Sequence, residues 1–329
     1  MNNKAKDIKH TEDFRIINQN INIDDIKYET ARKKWEYYSS VLEVAPVPLH
    51  VDIEVTNICD LRCVMCERRF MSRPQGMMSF DLFKKIIEEC SCIGVDSCKM
   101  NLWGESLLHP DLVNMIKYVK DNSNIVTQFN TNANKLNPDK SIELIKAGLD
   151  KLTISFDGIT KKTYESIRVN GDFNKVLANI ESLIQNKIKL SSKTPFLTIQ
   201  IIRMPENEPE LDSFVEYWRD KVDFISVTNI GATAGSSEIL SHSLRQRSEK
   251  ERVSCQQLWQ RLSILWDGKV TVCCNDYNGF LTLGNYGESS LTDYWHSKKL
   301  NNLRQKHKKH DFSNIICRKC TETFTYFNL

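Results

Sequence analysis

Between residues 48 and 227 the chain alternates short stretches of period two with longer segments whose apolar residues recur three and four apart. His50-Val51-Asp52-Ile53-Glu54-Val55 alternates apolar with polar and predicts a strand. Ser79 is placed to cap a helix on which Phe83, Ile86, Ile87 and Cys90 form one apolar face. Residues 99–103 read as the next strand, and Leu112, Met115, Ile116 and Val119 mark the next helical face. A strand over 125–129 follows, then a helix over 141–147 that Gly148 can close, then a strand over 152–156. Phe173, Val176, Leu177, Ile180, Leu183 and Ile184 share one side of a long helix. Residues 196–202, 211–218 and 224–227 complete the series as strand, helix and strand. Six strands alternating with helices predict an α/β fold with a parallel sheet and crossover helices. Periodicity does not say whether such a sheet curls into a barrel.

The flanks differ in texture. Residues 1–47 are highly charged, with helical spacing around 28–42, and read as an N-terminal helical extension. The core domain is expected over 48–230, and the small, polar, non-periodic segment 231–250 reads as a linker. In 251–329, the apolar runs 263–266 and 269–272 flank Asp267-Gly268, a favoured hairpin turn, at the start of a small cysteine-bearing domain.

Charge and composition exclude more than they assign. A 40% hydrophobic share can fill a core, and a formal net charge of +3 over 329 residues gives no argument for a nucleic-acid partner. The basic run 298–310 reads as a solvated helix or loop. No apolar run approaches membrane-spanning length, and the polar N-terminus lacks the apolar core of a secretory signal. A cytoplasmic protein is expected, and there eleven cysteines point to metal ligation rather than disulfides.

Cys59, Cys63 and Cys66 fall within eight residues, just beyond the first strand of the alternating series. Soft thiolates suit iron–sulfur clusters, and three ligands on a four-iron cubane leave one iron open for a substrate or cofactor. Structural zinc, which normally takes a fourth ligand, is the alternative. Cys255, Cys273, Cys317 and Cys320 make a second set, with Cys274 adjacent. Four thiolates can saturate a cubane, or form a zinc ribbon; either would staple a small domain with little core of its own. Cys273 is the expected ligand of its pair, because successive strand residues point to opposite faces. Cys90, Cys92 and Cys98 read as core packing, and His109, before Pro110, as a turn residue.

The C-x3-C-x2-C run after a strand resembles the radical S-adenosylmethionine (SAM) superfamily, and further residues match that family's pattern in order. Trp103-Gly104-Glu105-Ser106 resembles its GGEP motif, of which Gly104 and Glu105 carry over. Asn130-Thr131-Asn132 is similar to its TNG segment, with Ala133 in place of Gly. Ser155-Phe156-Asp157-Gly158 resembles its SxDG motif, and Arg168 lies where a guanidinium could clamp the SAM carboxylate. Met65 stands where many members carry an aromatic.

The resemblance implies a partial (β/α)6 barrel. It also implies a [4Fe–4S] cluster on Cys59, Cys63 and Cys66 whose open iron binds SAM, with contacts from Gly104, Glu105, Asn130, Asn132, Ser155, Asp157 and Arg168. Reductive cleavage of SAM would yield a 5′-deoxyadenosyl radical that abstracts hydrogen from substrate. The second cysteine set resembles the family's SPASM/twitch auxiliary domain in a one-cluster version, implying a second [4Fe–4S] cluster. Three functions follow as expectations. The leading one is oxidation of a small sugar or aminocyclitol alcohol, with the auxiliary cluster as electron acceptor. Modification of a peptide by crosslinking, epimerisation or side-chain oxidation is the second, and a zinc-stabilised binding protein the third. A flavodoxin or ferredoxin is the implied electron donor. No catalytic acid or base stands out; were the reaction an epimerisation, Cys98 or Cys274 would be the candidate hydrogen-atom donor.

Overall fold

The computed structural model describes residues 14–17, 26–230, 252–314 and 316–320. The expected linker, 231–250, lies outside them. Strand β1 (Phe14–Ile17) and helix α1 (Ile26–Val41) precede the alternating series, so the N-terminal extension contributes a strand as well as its helix. Strands β2 (His50–Ile53), β3 (Ser97–Lys99), β4 (Val126–Thr131), β5 (Lys151–Ser155), β6 (Phe196–Arg203) and β7 (Phe224–Asn229) pair in parallel, each with its successor. Between them run α2 (Phe80–Ile93), α3 (Leu112–Asn122), α4 (Pro138–Lys146), α5 (Lys161–Ile167), α6 (Phe173–Lys189) and α7 (Leu211–Trp218). This is the α/β fold expected, with the strand succession of a partial (β/α)6 barrel.

The helix ends follow the local signals. Ser79, Asn137 and Asp172 each accept a backbone N–H in the first turn of α2, α4 and α6. Gly94 closes α2 in the left-handed conformation at φ 86°. The apolar faces read from periodicity meet the sheet: Phe83, Ile86, Ile87, Cys90, Met115, Ile116, Val176 and Ile180 are fully buried against Val51, Ile53, Cys98, Phe129, Leu152 and Ile199.

Two differences bear on the site. The second strand of the series covers Ser97–Lys99 rather than 99–103. The segment after it leaves the sheet, and there Gly104 sits directly on the backbone of Thr56. The C-terminal hairpin of β8 (Arg261–Ile264) and β9 (Lys269–Thr271) does not form its own sheet. β8 pairs in parallel with β2, and β9 and β10 (Thr282–Asn285) extend the same sheet to ten strands in the order β1-β7-β6-β5-β4-β3-β2-β8-β9-β10. The cysteine-rich segment is thereby hydrogen-bonded to the first strand of the barrel. The basic run forms the helix Lys298–Lys308, but its Leu300, Leu303, Arg304 and His307 are buried rather than solvated. Arg304 donates to the carbonyls of Leu258 (2.9 Å) and Trp295 (2.7 Å) and stacks on the Trp295 ring, locking this helix down.

Candidate functional site

The loop leaving β2 carries Cys59, Cys63 and Cys66 at the C-terminal edge of the parallel sheet. Hydrogen bonds from neighbouring segments fix its path. Asn57 donates to the Pro74 carbonyl (2.9 Å) and accepts from Gly76 N–H (2.9 Å), and the Arg62 and Val64 amides donate to the carbonyls of Val169 (2.9 Å) and Ile167 (3.0 Å). Leu61, Cys63, Met65, Ile167, Met204 and Ile230 form a separate small apolar cluster around the thiols. Met65 thus packs among the cysteines, as a soft thioether can.

Burial pushes the Cys59 thiol up to about 12 and raises Cys63 and Cys66 as well, because a thiolate loses hydration there. Stable thiolates at this place need compensating positive charge. The Arg168 guanidinium, 3.7 Å from the Cys63 sulfur, supplies part of it. A multi-iron group would supply the rest, and three enclosed thiols on one loop, Cys63 buried and Cys59 and Cys66 half-buried, are a donor set that fits it. Among the described residues no three His, Cys, Asp or Glu side chains converge on a position for a single metal ion.

Two polar networks join this loop to the other strand ends. In the first, Asn132 lies 4.0 Å from the Cys59 sulfur and donates to Asp60 (2.8 Å), and Asn134 donates to the other Asp60 oxygen (2.7 Å). The buried Glu105 carboxylate accepts from Thr131 Oγ1 (2.7 Å), Asn132 N–H (2.8 Å) and Leu107 N–H (3.1 Å). Burial still pushes Glu105 up to about 7, the desolvation cost outweighing those three bonds. A Cβ on Gly104 would meet the Thr56 carbonyl oxygen at 2.1 Å, and the neighbouring Glu105 N–H donates to Ile58 O (2.8 Å). Only glycine lets these two loops touch.

In the second network the fully buried Asp157 pairs with Arg168 (Nε to Oδ2, 2.6 Å) and accepts from Ile202 N–H (2.7 Å). Arg168 therefore reaches the Cys63 side of the site with its guanidinium engaged by Asp157. The fold thus gathers Gly104, Glu105 and Asn132 beside Cys59, and Asp157 and Arg168 beside Cys63. Asn130 and Ser155 belong to neither network; they lie on the inner face of β4 and β5, at the ends nearest the cysteines. Asp60 and Asn134 were not singled out from the sequence. Their signal was a carboxylate between two cysteines and a second asparagine two residues after Asn132. His109 is buried, its ring 2.9 Å from the Met78 carbonyl, in a structural turn.

Members of the second cysteine set act on one another electrostatically. Cys255, Cys274 and Cys320 each disfavour a thiolate at Cys273, and Cys255 does the same at Cys317, which burial pushes up to about 12. Cys274 diverges from its neighbour: its thiol donates to Gln257 Oε1 (2.7 Å), on the side of Arg261, Asp52 and Lys99. The Cys320 amide donates to the Cys317 carbonyl (3.2 Å) within a tight turn, and Arg252 clamps that carbonyl from outside (2.5 Å).

A parallel sheet with three thiols at its C-terminal edge, and a second set of cysteines in the segments around a hairpin grafted to its first strand, points to a class of redox enzyme. The profile of the radical SAM superfamily matches residues 53–217, half of the chain, and that of the SPASM iron–sulfur cluster-binding domain matches residues 255–321. The chain belongs to the radical SAM superfamily: it is an enzyme that uses a [4Fe–4S] cluster with SAM and carries an auxiliary iron–sulfur domain. The zinc readings of both cysteine sets give way to iron–sulfur.

Among curated relatives, the GTP 3′,8-cyclase of Limosilactobacillus fermentum is 31% identical over 191 residues, 55% of this chain and 55% of that protein. The chain thus spans about half the length of such relatives. Among solved structures, BtrN in complex with AdoMet and 2-DOIA superposes with a TM-score of 0.58 at 16% identity, covering 84% of this chain and 93% of BtrN. Streptococcus suis SuiB bound to S-adenosylmethionine gives a TM-score of 0.63 at 17% identity, covering 87% and 74%. These similarities establish the fold. No helix among the described residues is long and apolar enough to cross a membrane.

Proposed function

We propose that the protein oxidises a hydroxyl group of a small polar substrate, a sugar or aminocyclitol alcohol, to a carbonyl. The observation that carries this reading is the chemistry of the sheet's inner face. Along β4, β5 and β6 every second residue is buried against the helices, while the alternate set stays partly open. That open set holds Gln128 and Asn130 on β4, Thr153 and Ser155 on β5, and Thr198 and Gln200 on β6, with Val126, Lys151, Phe196 and Ile202 at the strand ends. Asn130, Thr153 and Thr198 lie side by side in register, as do Ser155 and Gln200. Amides and hydroxyls spaced at strand separation, about 4.8 Å, in the middle of this face suit a molecule with several hydroxyl groups.

The chemistry the cofactors supply is one-electron: hydrogen abstraction by the 5′-deoxyadenosyl radical from SAM, and electron acceptance at the auxiliary site. The residues proposed to hold SAM are Gly104, Glu105, Asn130, Asn132, Ser155, Asp157 and Arg168, and the proposed ligands are Cys59, Cys63 and Cys66. The proposed auxiliary ligands are Cys255, Cys273, Cys317 and Cys320. The β2–β8 pairing supports electron transfer, because one sheet carries both thiol sets. Loss of a hydrogen atom from carbon, a proton from oxygen and one electron balances the conversion of alcohol to carbonyl. A flavodoxin or ferredoxin is the proposed electron donor, and the cytoplasm the proposed location.

The test is anaerobic turnover with reductant, SAM and a panel of aminocyclitols and sugars in deuterated water. The expected product is two mass units lighter than its substrate, with one SAM cleaved per product. Deuterium at an inverted carbon, or turnover of peptides alone, would replace this reading by epimerisation or peptide modification.

A further inference from the structure

A cavity of about 270 Å³ opens at the opposite end of the sheet from Cys59, Cys63 and Cys66. The first residues of β2, β3, β4, β5 and β8 line it, and Arg32 and Trp35 of α1 roof it. It also reaches Asn130, four residues along β4 from Val126, so it runs about 13 Å up the inner face toward the cysteines. Its size is at the small end of ligand pockets, which span about 300–1,000 Å³.

Its lining is cationic. Lys99, Lys151, Arg261 and Arg32 all face it, against a single carboxylate, Asp96, which Lys34 holds at 3.0 Å. Asp52, beside Lys99 on the neighbouring strand, is already bound by Ser263 (3.1 Å), His50 (3.3 Å) and Arg261 (3.4 Å). Lys99 pairs in register with Gln128, and Gln128 with Lys151. The two lysines therefore flank one amide at about two strand spacings, roughly 9.6 Å. The carboxylate acting on the Lys99 ammonium is Asp52, which is shared with Ser263, His50 and Arg261. A half-enclosed lysine beside an anion already engaged elsewhere is incompletely compensated, and a ligand oxyanion near it adds charge-assisted hydrogen bonds.

We propose that this cavity binds an oxyanion of the substrate, a phosphate or carboxylate group, between Lys99 and Lys151. The hydroxylated part of the molecule then lies against Gln128 and Asn130, below the cysteine end. The inference rests on the reading of the substrate as a polar alcohol and narrows it to an acidic sugar derivative.

Binding tests it apart from turnover. The reconstituted full-length holoenzyme with SAM is titrated calorimetrically with glucose 6-phosphate, glucuronate, glucose and inorganic phosphate. At least one of the two anionic sugars is expected to bind tenfold or more tightly than glucose, with inorganic phosphate competing. Tighter glucose 6-phosphate identifies a phosphate, and tighter glucuronate a carboxylate. Lys99→Met and Lys151→Met are each expected to weaken that binding at least tenfold, while Lys99→Arg holds it within about threefold. Iron content and thermal unfolding confirm that each variant is folded; if Lys99→Met is not, Lys151→Met and phosphate competition decide. Equal binding of glucose and both anions, no binding of either anion, or unchanged binding in folded Lys99→Met overturns the proposal. Failure of the oxidation reading looks different: anions bind, yet no carbonyl product forms from any alcohol.

Discussion

Replacing Gly104 by alanine tests the contact on which the SAM side of the site is built. The added Cβ would lie 2.1 Å from the Thr56 carbonyl oxygen, 2.7 Å from its carbon and 2.9 Å from the Asn57 Cα. All three are backbone atoms, so no side chain can swing aside. Restoring a carbon–oxygen separation of about 3.3 Å requires the two loops to part by about 1.2 Å. That displacement breaks the 2.8 Å bond from Glu105 N–H to Ile58 O, one residue before Cys59. Overpacking of about 1–3 kcal/mol and a lost hydrogen bond of about 1 kcal/mol together come to about 2–4 kcal/mol.

If the loops yield locally, the penalty falls on the SAM site, as a loss of affinity of about 30- to 1,000-fold. If they hold, it falls on the whole chain, as a drop in Tm of about 3–6 °C. Equilibrium binding of SAM to the anaerobically reconstituted variant, read beside its thermal unfolding, separates the two. The auxiliary domain meets this loop where Tyr277 packs edge-on against Trp103, 5.7 Å between ring centroids, but its own cysteines lie on other segments and should keep their iron. A variant with wild-type SAM affinity and an unchanged melting temperature would refute the reasoning.

Three further outcomes are expected. Replacing Cys59, Cys63 and Cys66 together by alanine should lower iron from about eight to about four per chain and abolish SAM cleavage, with the auxiliary signal retained in electron paramagnetic resonance. Cys273→Ala should lose that auxiliary signal, whereas Cys274→Ala should keep it and lose about 1 kcal/mol in denaturant unfolding, because its thiol makes a 2.7 Å bond to Gln257; the reverse pattern would reassign the ligand. Asp157→Asn leaves the Arg168 guanidinium buried without its carboxylate, and denaturant unfolding should show a loss of about 3–5 kcal/mol. A loss below 1 kcal/mol would mean that Cys63 and its surroundings hold Arg168 unaided.

Much of this molecule was legible along the chain because its signals are local. Strand and helix periodicity depends only on which residues face the core, so the six-strand alternation and the faces of α2, α3 and α6 could be read directly. The C-x3-C-x2-C spacing is equally local, since one loop presents all three thiols. What tertiary structure decided were relations between distant segments. Pairing of β8 with β2 depends on which edge of the sheet is open, a property of the assembled barrel rather than of either strand, and it joins the C-terminal hairpin to the main sheet. The second strand ended at Lys99, and Gly104 beyond it meets the Thr56 backbone, 48 residues away in sequence. The basic helix proved half-buried because Arg304 found two carbonyls and an indole ring in other segments. The row Asp52–Lys99–Gln128–Lys151 likewise exists only through strand register. Residue spacing specifies local geometry, but the match of charge to charge across strands is set only when the sheet closes and removes water from between them.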